Sequence, residues 1–282
     1  MVRIPTNLIL RARKKSSLLP LLLKPCKTID SAEQELRWIQ NELPQNQWLK
    51  ACYLRSNNVP LQYILGSQPF GDLNIKCKKD VLIPRWETEE YTLKLVDQLR
   101  SIKESLKIID ICTGTGCIPL LLGSKLKNSS VKGIDVSEKA ILLSNENKVL
   151  NSIPNVEFRS GDVFDANIVQ EKYDIVVSNP PYISADDFKS SSTEISVRLY
   201  EPKLALVGGN EFYTALVNNV LLSTDAEGFL FEIGYTHQYK HTRNLLNLNQ
   251  WNTCLYFDSA GNARAIIGWK KGSKMQILEN IR

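Results

Sequence analysis

The sequence predicts an α/β protein: a mostly parallel, seven-stranded sheet with an antiparallel C-terminal hairpin, preceded by a small helical domain. Three observations predict it. From residue 107 onward, short apolar runs alternate with segments of helical spacing. The last two apolar runs, 253–259 and 263–270, are joined by Ala260-Gly261-Asn262, a hairpin signal. Residues 30–66 repeat apolar positions at helical spacing.

The elements follow in order. Residues 1–29 hold seven basic residues and no acidic one, with Ser16 and Ser17 among them. That pattern reads as a mitochondrial transit peptide over residues 1–27. Residues 28–69 form the helical domain. Leu36, Ile39 and Leu43 lie on one stripe, Ser31 with Gln34 makes a capping box, and Leu49, Cys52 and Tyr53 make a second stripe after Pro44. Helices this short bury too little surface to stand alone, so they are expected to pack on the main domain as a substrate-docking appendage. Residues 70–87 read as a hairpin linker, with Leu73/Ile75 and Val81/Leu82/Ile83 flanking "KCKKD". The main domain, 88–272, opens on a helix carrying Tyr91, Leu95 and Leu99, with Thr88 as N-cap. Strands "KIIDI", "VKGIDV", "VEFRSGD" and "YDIVVSN" follow, separated by helices over 118–126 and over 138–150, the latter capped by Ser137. A helix "FYTALVNNVLL", a strand "GFLFEIG" and a helix over 238–248 lead to the closing hairpin.

Composition excludes several classes. The chain has 282 residues, 43% of them hydrophobic and 23% charged, as in an ordinary globular protein. No apolar run approaches the roughly 18 residues that span a bilayer. The net charge is +5, yet after residue 29 there are 28 basic residues against 30 acidic ones. That body lacks the basic field of a general nucleic-acid binder. The six cysteines form no Cys-x-x-Cys pair, and His237 and His241 are the only histidines. Neither supplies a zinc site, so no metal is expected.

In an open parallel sheet, ligands bind beyond the carboxyl ends of the strands. "DICTGTGC" (110–117) ends the first strand there, and Gly114 and Gly116 allow close backbone approach. A dinucleotide fingerprint needs Gly or Ala six residues along from Gly114, counted inclusively, and Pro119 stands there. That weakens a dinucleotide and favours a cofactor without a pyrophosphate, S-adenosylmethionine. Its site is expected to use Asp110, Cys112, Thr113, Gly114, Thr115 and Gly116 at the methionyl end. Asp135 ends the second strand, 25 residues after Asp110, and is placed for the ribose hydroxyls. Asp162 and the Val163 amide end the third and are placed for adenine.

The fourth strand ends in "NPPY", so Asn179 to Tyr182 face the same edge. A planar nitrogen has a delocalised lone pair and two N–H donors. It is best held by two acceptors, and the Asn179 side-chain oxygen and the Pro180 carbonyl qualify. Pro180 and Pro181 stiffen the corner, and Tyr182 can lie over a flat substrate group. These residues fit either the exocyclic amine of adenine or the side-chain amide of glutamine. A nucleic-acid adenine N6-methyltransferase, a non-catalytic module of the same fold and an NAD oxidoreductase are the competing readings.

The sheet pattern is similar to the Rossmann-like methyltransferase domain. "PLQYILG", "DVLIPRWETE", "DICTGTGC", "VSNPPYI", "YEPKLALVGG", "FEIG" and "DSAGNARAI" appear in order between Pro60 and Ile267. On these landmarks the chain resembles the HemK/PrmC family of protein N5-glutamine methyltransferases. The resemblance implies an S-adenosylmethionine-dependent enzyme acting on the glutamine of a Gly-Gly-Gln loop in a class I release factor. It implies that Asn179, Pro180 and Tyr182 hold that amide, with Pro181 beside them. It implies that Arg85 and Glu87 shape the pocket wall or a hinge. The partner would be a mitochondrial release factor, met by a monomer in the matrix with neither nucleic acid nor membrane. Departures from the family pattern are Cys112 where glycine is usual, Trp86 where a second proline is usual, and Pro119 in the first turn of its helix.

Overall fold

The computed structural model describes residues 4–281, and the chain divides into two compact units. The first reaches to Ser67 and takes in Thr193–Tyr200; the second is the rest. Among the described residues no helix is long and apolar enough to cross a membrane.

The first unit contains α1 (Thr6–Lys15), α2 (Leu19–Cys26), α3 (Ile29–Glu42), α4 (Trp48–Ser56), α5 (Leu61–Leu65) and α10 (Ile195–Tyr200). Residues 6–15 and 19–26, read from sequence as leader, are helical here. Ala12, Leu19, Leu22 and Leu23 share one core with Ile29, Ala32, Leu36 and Ile39. Met1–Arg3, the start of that leader, lie outside the described residues. The N-cap of α3 is Thr28, whose hydroxyl accepts from the Ser31 amide at 3.1 Å, so the cap falls three residues before the expected one. The expected stripe on α4 is also corrected. Ala51 and Cys52 are buried while Leu49 and Tyr53 are 64% and 63% exposed. Positions 48, 51 and 52 define the inward face at helical spacing, which turns 49 and 53 outward. Arg55 forks onto Glu35 at 2.7 and 3.0 Å and ties α4 to α3.

The second unit holds a short sheet, β1 (Ser67–Phe70) with β2 (Leu73–Lys76), and the main sheet. Val81–Ile83 do not form the expected hairpin strand. Val81 packs on Ala140 and Leu143, and the Ile83 amide donates to the Glu201 carboxylate at 3.1 Å, so both find partners outside a ladder. Next comes α6 (Trp86–Leu99), whose N-cap is Arg85 rather than Thr88.

The main sheet is built from β3 (Lys107–Ile111), β4 (Ser130–Asp135), β5 (Val156–Ser160), β6 (Ile175–Ser178), β7 (Gly228–Glu232), β8 (Trp251–Phe257) and β9 (Ala263–Lys270). The strand order is β5-β4-β3-β6-β7-β9-β8. The first five strands of that list run parallel, and β9 pairs antiparallel with both β7 and β8. The order reverses between β3 and β6, which makes the switch point where ligands bind.

Helices cover both faces, among them α7 (Cys117–Lys125), α8 (Glu138–Leu150), α11 (Asn210–Ala215) and α12 (Thr236–Asn244). A short α9 (Ala185–Lys189) follows the β6 loop. Successive strand residues alternate between two cores. Ile108, Ile175, Val177 and Leu230 join α6 and α7 in one, while Ile109, Val176, Phe229 and Phe231 join the α11 side in the other. The expected single helix at 212–222 becomes α11 followed by a π-helical stretch, Leu216–Leu221. The fold also continues past residue 272. Met275 and Leu278 on a closing 3-10 stretch, and Ile281 just after it, are buried in the α6 core.

Candidate active site

A cleft of about 880 Å³, including space open to solvent, lies at the carboxyl ends of β3, β4, β5 and β6. Its floor is the loop after β3. Cys112 and Gly114 line it, both with positive φ, +63° and +55°. The left-handed backbone is unstrained for glycine but uncommon for cysteine. A Cβ on Gly114 would meet no atom within 4 Å, so that face of the loop is open to a ligand.

Asp135, at the end of β4, lines the same cleft. Its Oδ2 accepts from the Gly114 amide at 2.8 Å and its Oδ1 from the Ser137 amide at 2.9 Å. Burial pushes its carboxyl up from the usual range, and these backbone donors oppose the shift. Each oxygen keeps acceptor capacity for a diol. After β5, Gly161, Asp162 and Val163 line the cleft, and the Asp162 carboxylate accepts from the Phe164 amide at 3.0 Å.

Not every expected cofactor residue reaches this space. Thr113, Thr115 and Gly116 lie outside the cleft lining, and the two threonines are buried. Gly116 instead caps α7 at φ +79°. Asp110 is fully buried, and neither carboxyl oxygen has a hydrogen-bond partner among the described residues. Burial, chiefly, pushes its pKa up to about 8, with the charge of Asp135 adding to the rise. The Thr113 hydroxyl acts the other way without reaching hydrogen-bond geometry.

Several lining residues were not legible as such in the sequence. Val81 and Leu82 enter from the loop before α6, Phe164 and Phe212 meet edge to face at 5.0 Å, and Pro202 and Leu204 come from the "YEPKLALVGG" landmark. The run "VLIPR" was the available signal, but it reads locally as a strand.

The "NPPY" corner sits at the end of β6. Asn179 and Pro181 line the cleft, whereas Pro180 and Tyr182 are not among its lining residues. The corner is held from several sides. The Ser178 hydroxyl donates to the Ile111 carbonyl at 2.7 Å, and Gln238 Nε2 donates to the Tyr182 carbonyl at 3.0 Å. Ile183 pairs in parallel with Val207: the Ile183 amide donates to Leu206 and the Gly208 amide to Ile183. This pairing is why "LALVGG" stands where it does, since a Cβ on Gly208 would lie 2.4 Å from the Pro181 carbonyl oxygen. The Tyr182 hydroxyl donates to Glu232 Oε1 at 2.9 Å, and a Cβ on Gly234 would strike its ring at 2.6 Å. Asn179 Nδ2 donates to Thr88 Oγ1 at 3.4 Å. Asn179 Oδ1 and the Pro180 carbonyl accept no hydrogen bond among the described residues.

Arg85 and Glu87 are engaged elsewhere and neither lines the cleft. Arg85 pairs with the buried Glu201 at 2.6 Å, joining the landmark around residue 85 to the one around residue 201. Glu87 lies 3.5 Å from Arg264, which also binds Asp258 at 2.9 Å, so "DSAGNARAI" meets the start of α6.

A family model described as methyltransferase small domain matches residues 89–201. The mitochondrial MRF1 N(5)-glutamine methyltransferase MTQ1 of Saccharomyces cerevisiae is 40% identical over the whole of this chain and 93% of its own length. The probable MRF1 mitochondrial N(5)-glutamine methyltransferase of Schizosaccharomyces pombe is 37% identical over 86% of this chain and 89% of its own. The chain belongs to the HemK/PrmC family of protein N5-glutamine methyltransferases. Among solved structures, the human Mettl16 catalytic domain, crystallised with an RNA hairpin, superposes with a TM-score of 0.55 at 17% identity. It covers 79% of this chain and 82% of its own, a likeness of fold. A methyltransferase of this family thus carries the seven-stranded sheet with its antiparallel end that the sequence predicts.

Proposed function

We propose that the protein transfers a methyl group from S-adenosylmethionine to the side-chain amide nitrogen of the glutamine in a release-factor Gly-Gly-Gln motif. The observation that carries this reading is the pair of unengaged acceptors, Asn179 Oδ1 and the Pro180 carbonyl, on a corner that adjoins the cleft. An amide NH2 has two donors to match two acceptors. The relatives' names, which specify glutamine and MRF1, favour a glutamine amide over an adenine amine.

The cleft suits the methyl donor on its own features: an open face at Gly114, a carboxylate at Asp135 for a diol, and an apolar wall with Asp162 at its end. Bound there, S-adenosylmethionine would supply an electrophilic methyl carbon, with a neutral thioether as the leaving group. The protein's part is orientation. Asn179 and Pro180 accept from the two N–H groups and so turn the nitrogen's lone-pair face outward. Those N–H groups grow more acidic as the nitrogen bonds to carbon. The same acceptors therefore strengthen in the transition state until one proton leaves to water. The corner needs no strong base, and its rigidity leaves little entropy to lose on binding.

We place the enzyme in mitochondria. The relatives' printed names and the basic, acid-free stretch before Asp30 support this. Because α1 and α2 lie in that stretch and supply core residues, we infer that the segment is kept after import. The mass of the imported protein tests that.

The function is tested with a methyl-labelled donor and a mitochondrial release factor. Label is expected on the wild-type factor and absent when its Gly-Gly-Gln glutamine is replaced by alanine; label that persists in that control overturns the reading. With Asn179→Ala, turnover is expected to fall by about a hundredfold, as when a transition-state hydrogen bond is lost. Cofactor binding in that variant is expected to weaken but to stay measurable by calorimetry.

A further inference from the structure

Glu232 ends β7 and is 1% exposed, buried against α6 and the "NPPY" corner. Its two oxygens take hydrogen bonds from two hydroxyls: Thr88 Oγ1 on Oε2 at 2.7 Å and Tyr182 OH on Oε1 at 2.9 Å. Thr88 is itself 2% exposed, in the first turn of α6. The same Thr88 oxygen accepts from Asn179 Nδ2 at 3.4 Å. One carboxylate is thus linked to both polar side chains of the corner, directly to Tyr182 and through Thr88 to Asn179.

We propose that Glu232 and Thr88 act as positioning residues, a hydrogen-bond relay that fixes which way the Asn179 amide faces. This rests on the glutamine-amide reading above. An ionised carboxylate can only accept, and a hydroxyl has one proton. Once Thr88 spends that proton on Glu232, it can offer Asn179 only a lone pair. Asn179 must then turn its NH2 toward Thr88, which leaves Oδ1 as the outward acceptor. The reversed amide would present a donor to the substrate's own N–H and lose one of the two acceptors. Burial pushes the Glu232 carboxyl up from the usual range, while the hydroxyls of Thr88, Tyr182 and Tyr91 and the charge of Arg264 oppose that rise.

The relay explains two landmarks together. The threonine of "RWETE" and the glutamate of "FEIG" lie 144 residues apart in the chain and meet only here. The polarity argument also explains why a hydroxyl, and not merely a small side chain, stands at position 88.

The test uses the full chain with Thr88→Val, Thr88→Ser and Glu232→Gln. Thr88→Val keeps the shape and removes both roles of the hydroxyl. Its kcat is expected to drop at least tenfold, with the Kd for S-adenosylhomocysteine within threefold of wild type; Thr88→Ser is expected to recover most of the rate. Glu232→Gln can donate to Thr88 and free it to donate onward, so its kcat is expected to drop as well. A kcat for Thr88→Val within twofold of wild type, or equal losses in the serine and valine variants, overturns the relay. If Thr88→Val does not fold, Glu232→Gln decides: unchanged kcat overturns the proposal. A second readout does not depend on the substrate. The Asn179 side-chain amide protons, assigned by their absence in Asn179→Ala, are expected to exchange more slowly in wild type than in Glu232→Gln or Thr88→Val. Equal exchange overturns the relay even if release factor is methylated. Slow exchange in a protein that methylates no release factor would instead remove the functional reading and leave the relay standing.

Discussion

Asp110 lies sealed beneath the loop after β3, with no hydrogen-bond partner for either carboxyl oxygen among the described residues. A carboxyl held at about 8 when folded, against an ordinary value near 3.8, binds its proton more tightly in the native state than in the unfolded one. Native stability therefore falls as pH rises between about 4 and 8, by at most roughly 1.4 kcal/mol per unit, and levels off above that. Asp110→Asn removes the ionisation. In the cofactor-free protein its melting temperature is expected to exceed wild type at pH 8 and to match it near pH 4. A variant that melts lower at pH 8 would mean that the carboxylate is satisfied in solution. Trp86 makes a contrasting case. It is the first residue of α6, half exposed, at a position whose N–H has no intrahelical acceptor. Proline suits that position, so Trp86→Pro is expected to change stability by less than about 1 kcal/mol in denaturant titrations. A cost of several kcal/mol would show that the indole or the amide is held.

At the scale of elements, the corner after β6 depends on glycines that lie far from it in sequence. Gly234 leaves room for the Tyr182 ring, where a Cβ would approach to 2.6 Å. In Gly234→Ala the ring must move away, and its hydrogen bond to Glu232 goes with it. Turnover is expected to fall at least tenfold while cofactor affinity, set on the other side of the switch point, changes little; calorimetry beside kinetics separates the two. The strand and helix patterns of this region were legible because apolar runs ending in Asp110, Asp135 and Ser178 need only local periodicity. The hairpin expected at 73–83 was not legible in the same way. Val81 and Ile83 carry a strand's composition, but their partners are α8 and Glu201, which no local window contains. Thr88 is a similar case. Its place before an apolar helix reads as a cap, whereas its hydroxyl serves a glutamate on β7.

At the scale of the molecule, the helical unit is built partly from the stretch that composition marks as a leader. Ala12, Leu19, Leu22 and Leu23 are each at most 2% exposed, and each buried leucine is worth about 1.5–3 kcal/mol. Deleting residues 1–27 is therefore expected to abolish or markedly lower the thermal transition of that unit, followed by calorimetry. An unchanged melting profile would return the segment to the role of a dispensable leader. The basic character was legible by counting; the burial was not, because charged residues on a helix's outer face say little about whether the other face is covered.

The sequence by itself determined the fold class and the run of strands and helices, since periodicity, glycine spacing and proline geometry act within a few residues. Only the tertiary structure decided that Asp110 is buried away from the cleft, that Arg85 and Glu87 serve ion pairs, and that Thr88 and Glu232 address Asn179. Those outcomes depend on which distant groups share a buried volume. There an unmet donor or acceptor is costly, and a hydrogen bond's direction is settled by its partner rather than by its neighbours in the chain.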